Sequence, residues 1–234
     1  MSLINQPYMN KEETNADVVF CIDATGSMDS CFDGIKDHLN SFLEGLQSAA
    51  KVDFRLRLIA YRDLHDPDCQ TPWFEGEFTS SAEEFSSQLS AIDPKGGGDD
   101  AESTLDALFR AIHSKWRERD AHKTIVLVTD DDTHPTLHES TYSRPDNNIS
   151  RVIQDFQELD NGMLFMVTPK YPLYEEFERG ARNARQNRVE AIWYAEPSMD
   201  DEELHKKLED IPWDNLLKMI GEKVSTSSTE AAQK

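Results

Sequence analysis

The chain has 234 residues, 38% of them hydrophobic, which suffices for one substantial core and sets a single domain as the expectation. Its 45 acidic against 24 basic residues give a formal charge of −21, which repels phosphate backbones and anionic lipid and favours cations and basic protein patches, so nucleic acid and membrane are not expected partners. The three cysteines, Cys21, Cys31 and Cys69, form no Cys-x-x-Cys, the polar start lacks a signal pattern, and no apolar run approaches the ~18 residues of a membrane span; a soluble, cytoplasmic protein is expected.

In chain order, residues 1–12 form a polar segment and 16–23 an almost continuous apolar strand. Phe32, Ile35, Leu39, Phe42, Leu43 and Leu46 then recur on one face of a helix. Phe54, Leu56, Leu58 and Ala60 alternate with Arg55, Arg57, Ile59 and Tyr61, as in a strand exposed on one face, and 73–79 reads as a short edge strand where the sheet reverses. A helix over 81–92, a loop over 93–100 with three consecutive glycines, and a helix from Ala101 to about Arg119 follow. Thr124 to Val128 is a strand buried on both faces. Helices near 147–159 and 171–186, strands at 163–168 and 189–194, and helical stretches at 200–209 and 212–222 complete the alternation, and the small polar tail 223–234 is expected to be disordered. The pattern predicts an α/β domain over 13–222: a doubly wound, mostly parallel central sheet with one antiparallel edge strand and helices on both faces.

Two core strands end in carboxylates. The first runs into Asp23-Ala24-Thr25-Gly26-Ser27, a carboxylate and two hydroxyls at two-residue steps, and the second into Thr129-Asp130-Asp131-Asp132. Hard divalent cations take oxygen ligands, and open parallel sheets bind ligands beyond the carboxyl ends of their strands, so these segments predict a metal site there. The glycine-rich loop adds a third donor, Asp99 or Asp100, between which spacing does not choose. The plainer alternative is that Asp23, Asp130, Thr25 and Ser27 cap the helices that follow. Asp131 and Asp132 read as solvated rim and the loop 61–65 as either a partner contact or a solvated turn; His134 and His138, at i and i+4, could bind a transition metal on a helix, but Pro135 between them disfavours one, so they read as loop residues lining the rim. Trp73, Phe74 and Trp213 mark a partner surface or, more commonly for such residues, a buried patch.

These motifs, in this order, resemble the von Willebrand factor type A domain and its metal ion-dependent adhesion site. Asp23-Ala24-Thr25-Gly26-Ser27 matches the family's Asp-x-Thr-x-Ser motif, and Thr124 to Asp130 its aspartate-ending strand. Where the family usually places a threonine after two glycines, Gly97-Gly98-Asp99 carries a carboxylate, similar to the Gly-Gly-Asp variant of a subset of intracellular members; Ile59-Ala60-Tyr61-Arg62-Asp63 and Trp116-Arg117 look like the same subset. The resemblance implies Thr25 and Ser27 as direct ligands, Asp23 and Asp130 as direct or water-mediated ones, and Asp99 at the threonine position. It further implies a divalent ion, Mg²⁺ first and Mn²⁺ or Ca²⁺ as alternatives, and a non-enzymatic adaptor or scaffold whose protein partners include ATPases, kinases or stress-response components. The competing reading is a haloacid dehalogenase-like Mg²⁺-dependent phosphotransferase with Asp23 as nucleophile; it lacks a well-placed lysine to offset phosphate charge and gives Asp99 no role.

Overall fold

A computed structural model describes residues 13–69, 71–96, 101–118, 121–182 and 187–232. Six strands form the main sheet: β1 (Glu13–Asp23), β2 (Lys51–Tyr61), β3 (Trp73–Glu75), β5 (Ala121–Val128), β7 (Gly162–Pro169) and β8 (Arg188–Ala195), in the order β3-β2-β1-β5-β7-β8. All pairs are parallel except β2 with the edge strand β3, and two short strands, β4 (Ala101–Glu102) and β6 (Asp132–Thr133), pair separately. One face is covered by α1 (Asp29–Asp37), α2 (Leu39–Leu46), α3 (Ala82–Ser90), α7 (Asp201–Glu209) and α8 (Trp213–Ala232). The other carries α4 (Thr104–Ile112), α5 (Ile149–Glu158) and α6 (Pro172–Ala181). This is the doubly wound architecture expected.

The two-sided burial follows from side-chain alternation in β1. Val18, Phe20 and Ile22 pack under α1, α2 and α3, while Val19 and Cys21 pack under α4. The chain moves from β1 outward to β2 and later crosses back to place β5 on the other side, so strand order switches between β1 and β5. That switch puts Asp23 and the residues after Val128 at one rim.

Several expectations are corrected. The helical face 32–46 is two helices broken at His38, although Phe32, Ile35, Leu39, Phe42 and Leu46 keep one buried face. The second face of β2 is not exposed, because α4 covers Ile59 and Tyr61. The edge strand stops at Glu75, and Thr79 makes only an isolated bridge to Leu56. The helix expected from Ala101 to about Arg119 starts later, because Ala101 and Glu102 pair with Asp132 and Thr133. It ends at Ile112, whose carbonyl accepts the Trp116 indole N–H at 2.9 Å.

The expected disordered tail is instead the continuation of α8 to Ala232. Val224, Ser225 and Ser228 are fully buried. The hydroxyls of Ser228 and Thr229 donate to the Ser225 carbonyl at 2.9 and 3.0 Å, and Ser225 Oγ accepts the Ala49 N–H at 3.2 Å. These self-satisfied hydroxyls let a polar composition pack as core. The crossing with α2 is close enough that a Cβ on Gly221 would stand 2.2 Å from the Phe42 carbonyl oxygen.

Candidate metal centre

Asp23, the last residue of β1, has no exposed surface. Its Oδ1 accepts the Thr25 N–H at 2.9 Å and its Oδ2 the Thr129 hydroxyl at 2.8 Å. Thr129 is held in turn, its carbonyl accepting the Tyr194 hydroxyl at 3.1 Å. After Asp23 the chain turns through a 3-10 segment, Gly26–Met28, so the Thr25 and Ser27 hydroxyls lie 3.3 Å apart. The Ser27 hydroxyl reaches Asp130, which is 4% exposed.

The expected donors Asp23, Thr25, Ser27 and Asp130 are thus drawn together around one rim. Carboxylate oxygens of Asp23, Asp130 and Asp131 lie within 4.8 Å of one another. Asp130 Oδ1 is buried with no hydrogen-bond partner. Burial, and for Asp23 the facing charge of Asp130, push both carboxyl pKa values above the usual carboxylate range. Such a set of oxygens could hold a divalent cation.

The third segment enters beside the first. Gly26 N–H donates to the Gly96 carbonyl at 3.0 Å and Lys95 N–H to the Ala24 carbonyl at 3.1 Å. Gly96 adopts φ +78°, where glycine is unstrained. Arg62 ties these pieces, donating from Nε to the Ala24 carbonyl at 2.8 Å and from Nη2 to the Asp93 carbonyl at 2.7 Å. Asp99 and Asp100 lie outside the described residues; the chain is described again at Ala101, paired with Asp132.

Asp131, expected as solvated rim, joins the cluster. Its backbone is held by an N–H bond to the Thr129 hydroxyl at 3.2 Å and by the Tyr174 hydroxyl on its carbonyl at 2.7 Å. The first contact is local, but the second comes from α6, 43 residues away, and sequence spacing carries no signal for it. The loop 61–65 is neither of the expected readings in its first half, since Arg62 and Asp63 are buried as internal clamps. His134 and His138 are loop residues, as expected. Trp213 is buried, its ring packed against Gly34, while Trp73 and Phe74 are half-buried and the Arg110 guanidinium stands 4.2 Å from the Trp73 ring centre.

An open α/β domain with an oxygen-lined rim at its switch point is the class these features define. Residues 18–133 match the family model described as von Willebrand factor type A domain. Similar solved structures are a von Willebrand factor type A protein from Catenulispora acidiphila (14% identical, 91% of this chain, 43% of that one, TM-score 0.52) and the conserved hypothetical protein BatB from Bacteroides thetaiotaomicron (12% identical, 94% of this chain, all of that one, TM-score 0.53). The Alpha-protein kinase vwkA of Dictyostelium discoideum is 27% identical over 125 residues, 53% of this chain. This chain spans only 20% of that kinase's length and less than half of the Catenulispora protein. The chain carries a von Willebrand factor type A domain. Such domains are typically protein-interaction modules and often bind a divalent metal. These matches give the phosphotransferase alternative no support. Among the described residues, no helix is long and apolar enough to cross a membrane.

Proposed function

We propose that this domain is a metal-dependent, non-enzymatic protein-binding module that engages its partner through a divalent cation, Mg²⁺ first, at the carboxyl-end rim of the sheet. Asp23, Thr25, Ser27 and Asp130 would hold the ion, Asp99 would complete the set from the glycine-rich loop, and Asp131 would add a rim carboxylate. The buried, unpartnered Oδ1 of Asp130 beside the buried Asp23 carries this reading. Two carboxylates with displaced pKa values, with no lysine or arginine ion pair among the described residues, are stabilised by an external cation.

Charge limits what the ion recruits. The three described carboxylates against a 2+ ion leave −1 at the rim, and Asp99 would make it more negative. Such an ion is held firmly and attracts an incoming carboxylate weakly. The partner group is therefore neutral or basic, which agrees with the acidic surface of the whole chain, and an ATPase, kinase or stress-response protein working in the cytoplasm is the proposed kind of partner. Calorimetric titration with Mg²⁺ tests the site: wild type binds, and Asp130→Asn does not. An Asp99→Thr variant that binds both Mg²⁺ and a carboxylate peptide as wild type does would remove the charge argument. Hydrolysis of para-nitrophenyl phosphate that Asp23→Asn abolishes would overturn the binding reading altogether.

A further inference from the structure

Arg62 carries a buried charge that no carboxylate answers. The residue directly follows β2 and is 8% exposed, and its guanidinium donates only to neutral oxygens. Nε reaches the Ala24 carbonyl at 2.8 Å, Nη1 the Thr71 carbonyl and, at 3.1 Å, the Thr71 hydroxyl, and Nη2 the Asp93 carbonyl at 2.7 Å. Four of its five N–H groups are thereby used, which leaves one on Nη2. Other arginines of the sheet have their counterions: Arg55 and Arg117 hold Asp17, and Arg57 and Arg110 hold Glu75 at 2.6 and 2.9 Å. Among the described residues, none places a carboxylate within ion-pair distance of Arg62. A buried ion that is hydrogen-bonded but not neutralised gains from an anion brought to it.

Arg62 also lines a cavity of about 300 Å³ between β3 and the end of α3. Ala24, Ala60, Phe74 and Ile92 make much of its wall apolar, while Arg62, Thr71 and Lys95 bring hydrogen-bond donors. The Thr71 hydroxyl accepts from Arg62 and keeps its own proton to donate. Lys95 is exposed and rests on Asp93 Oδ2 at 2.8 Å, so two cations stand against one carboxylate in this lining. The cavity is therefore net positive in a chain of formal charge −21. An adjoining cavity of about 380 Å³ shares Arg62, Thr71 and Lys95 but is lined by Asp66 and Asp68, which disfavour an anion there. A third, of about 420 Å³ beside Phe78 and Phe109, holds Arg57 and Arg110, whose charge Glu75 already takes up. Apolar walls with a few converging donors are the usual make-up of a small-ligand site.

We infer that this cavity binds a carboxylate carried on a small apolar group, its oxygens taking the remaining Nη2 N–H of Arg62 and the Thr71 hydroxyl while the apolar part packs on Phe74 and Ile92. The volume lies at the lower end for ligand sites, so it suits one small group and not a long stretch of chain. A protein chain ending in an apolar residue and a free apolar acid both offer that chemistry. The site needs no ion of its own, although Arg62 Nε holds the Ala24 carbonyl between Asp23 and Thr25 and so places it beside the rim.

The test follows the Arg62 Nε–H resonance and the Phe74 and Ile92 backbone amides of the full chain, in chelator, while N-acetyl-leucine is added. Saturable shifts of all three are expected, and N-acetyl-leucinamide, which lacks the charge, should bind at least about 10-fold more weakly. Arg62→Lys, which keeps the charge but not the planar fork, should weaken binding as well. Ala91→Trp fills the cavity from an exposed position with Arg62 in place, and should abolish the shifts without lowering the thermal midpoint. A peptide ending in leucine that binds more tightly than N-acetyl-leucine would identify a protein chain end as the source, and equal affinity a free acid. Asp130→Asn should bind as wild type does, so failure of the rim site and of this one are distinguishable. Absence of saturable shifts, equal binding of the amide, or undiminished binding in Ala91→Trp would each overturn the proposal.

Discussion

Asp17 and Asp23 are both fully buried, lie on the same strand and point to the same face, yet the chain treats them oppositely. Asp17 is enclosed by guanidinium groups: Arg55 Nε and Arg117 Nε donate to its Oδ1 at 2.9 and 2.8 Å, and the Arg117 backbone N–H donates to its Oδ2 at 2.7 Å. Although burial acts to raise it, these bonds and charges hold its pKa below the usual value. At the other end, Asp23 faces Asp130, and its pKa is displaced upward. The chain closes one end of β1 with its own cations; the other end is where we propose that an external cation binds.

The largest effect should come from breaking the closed end. Asp17→Ala leaves two arginines facing a hole and should cost about 3 kcal/mol, the low end for a broken buried ion pair because both guanidinium groups reach solvent. In thermal unfolding this is a fall of about 6–12 °C for a chain of this size. A change below about 2 °C would mean that the Asp17 cluster is not a keystone.

Adding Mg²⁺ should sharpen the contrast next. At about 100 times its dissociation constant, an ion binding only the folded state stabilises by about 2.7 kcal/mol, raising the midpoint by about 5–10 °C. Asp130→Asn should abolish that rise. Asp17→Ala should preserve it, since six residues of strand separate the two ends by about 20 Å and distant effects add. A Mg²⁺ response lost in Asp17→Ala would show that the two ends are coupled.

The amino end of the sheet is also where α8 ends, Thr14 Oγ1 lying 3.0 Å from Ser228 Oγ. Val224→Ala removes the equivalent of two buried methylenes and should cost about 1.6 kcal/mol with or without Mg²⁺. A tail without structure would show no change.

That segment marks the limit of what the sequence disclosed. The sheet was legible because β1, β5 and β7 are apolar runs bounded by polar loops, and the helices because burial repeats at helical spacing. The rim was legible at Asp23, Thr25, Ser27 and Asp130, since residues at strand ends inherit their position from the strand. Asp131, the Asp63 clamp and the helical tail were not. Each depends on contacts between segments far apart in the chain, such as Tyr174 with Asp131, His134 with Asp63, and Ser225 with Ala49. The same holds for Asp17, whose partners Arg55 and Arg117 are 38 and 100 residues away.

A pH series separates the two aspartates by sign. An unfolded aspartate titrates near 3.9. Asp17, held lower when folded, contributes stability above that pH and loses it as pH falls toward its folded value. Asp23 and Asp130, held higher when folded, do the reverse: between about 4 and their raised values the folded state binds more protons than the unfolded one, so stability falls as pH rises. In chelator, the unfolding midpoint should therefore decline on going from pH 5 toward neutrality, and Asp23→Asn should flatten the decline while leaving acid unfolding below pH 4 in place. Mg²⁺ competes with these protons, so its affinity should rise over the same interval. A decline that persists undiminished in Asp23→Asn and Asp130→Asn would place the titrating groups elsewhere and remove the electrostatic basis for a cation at the rim.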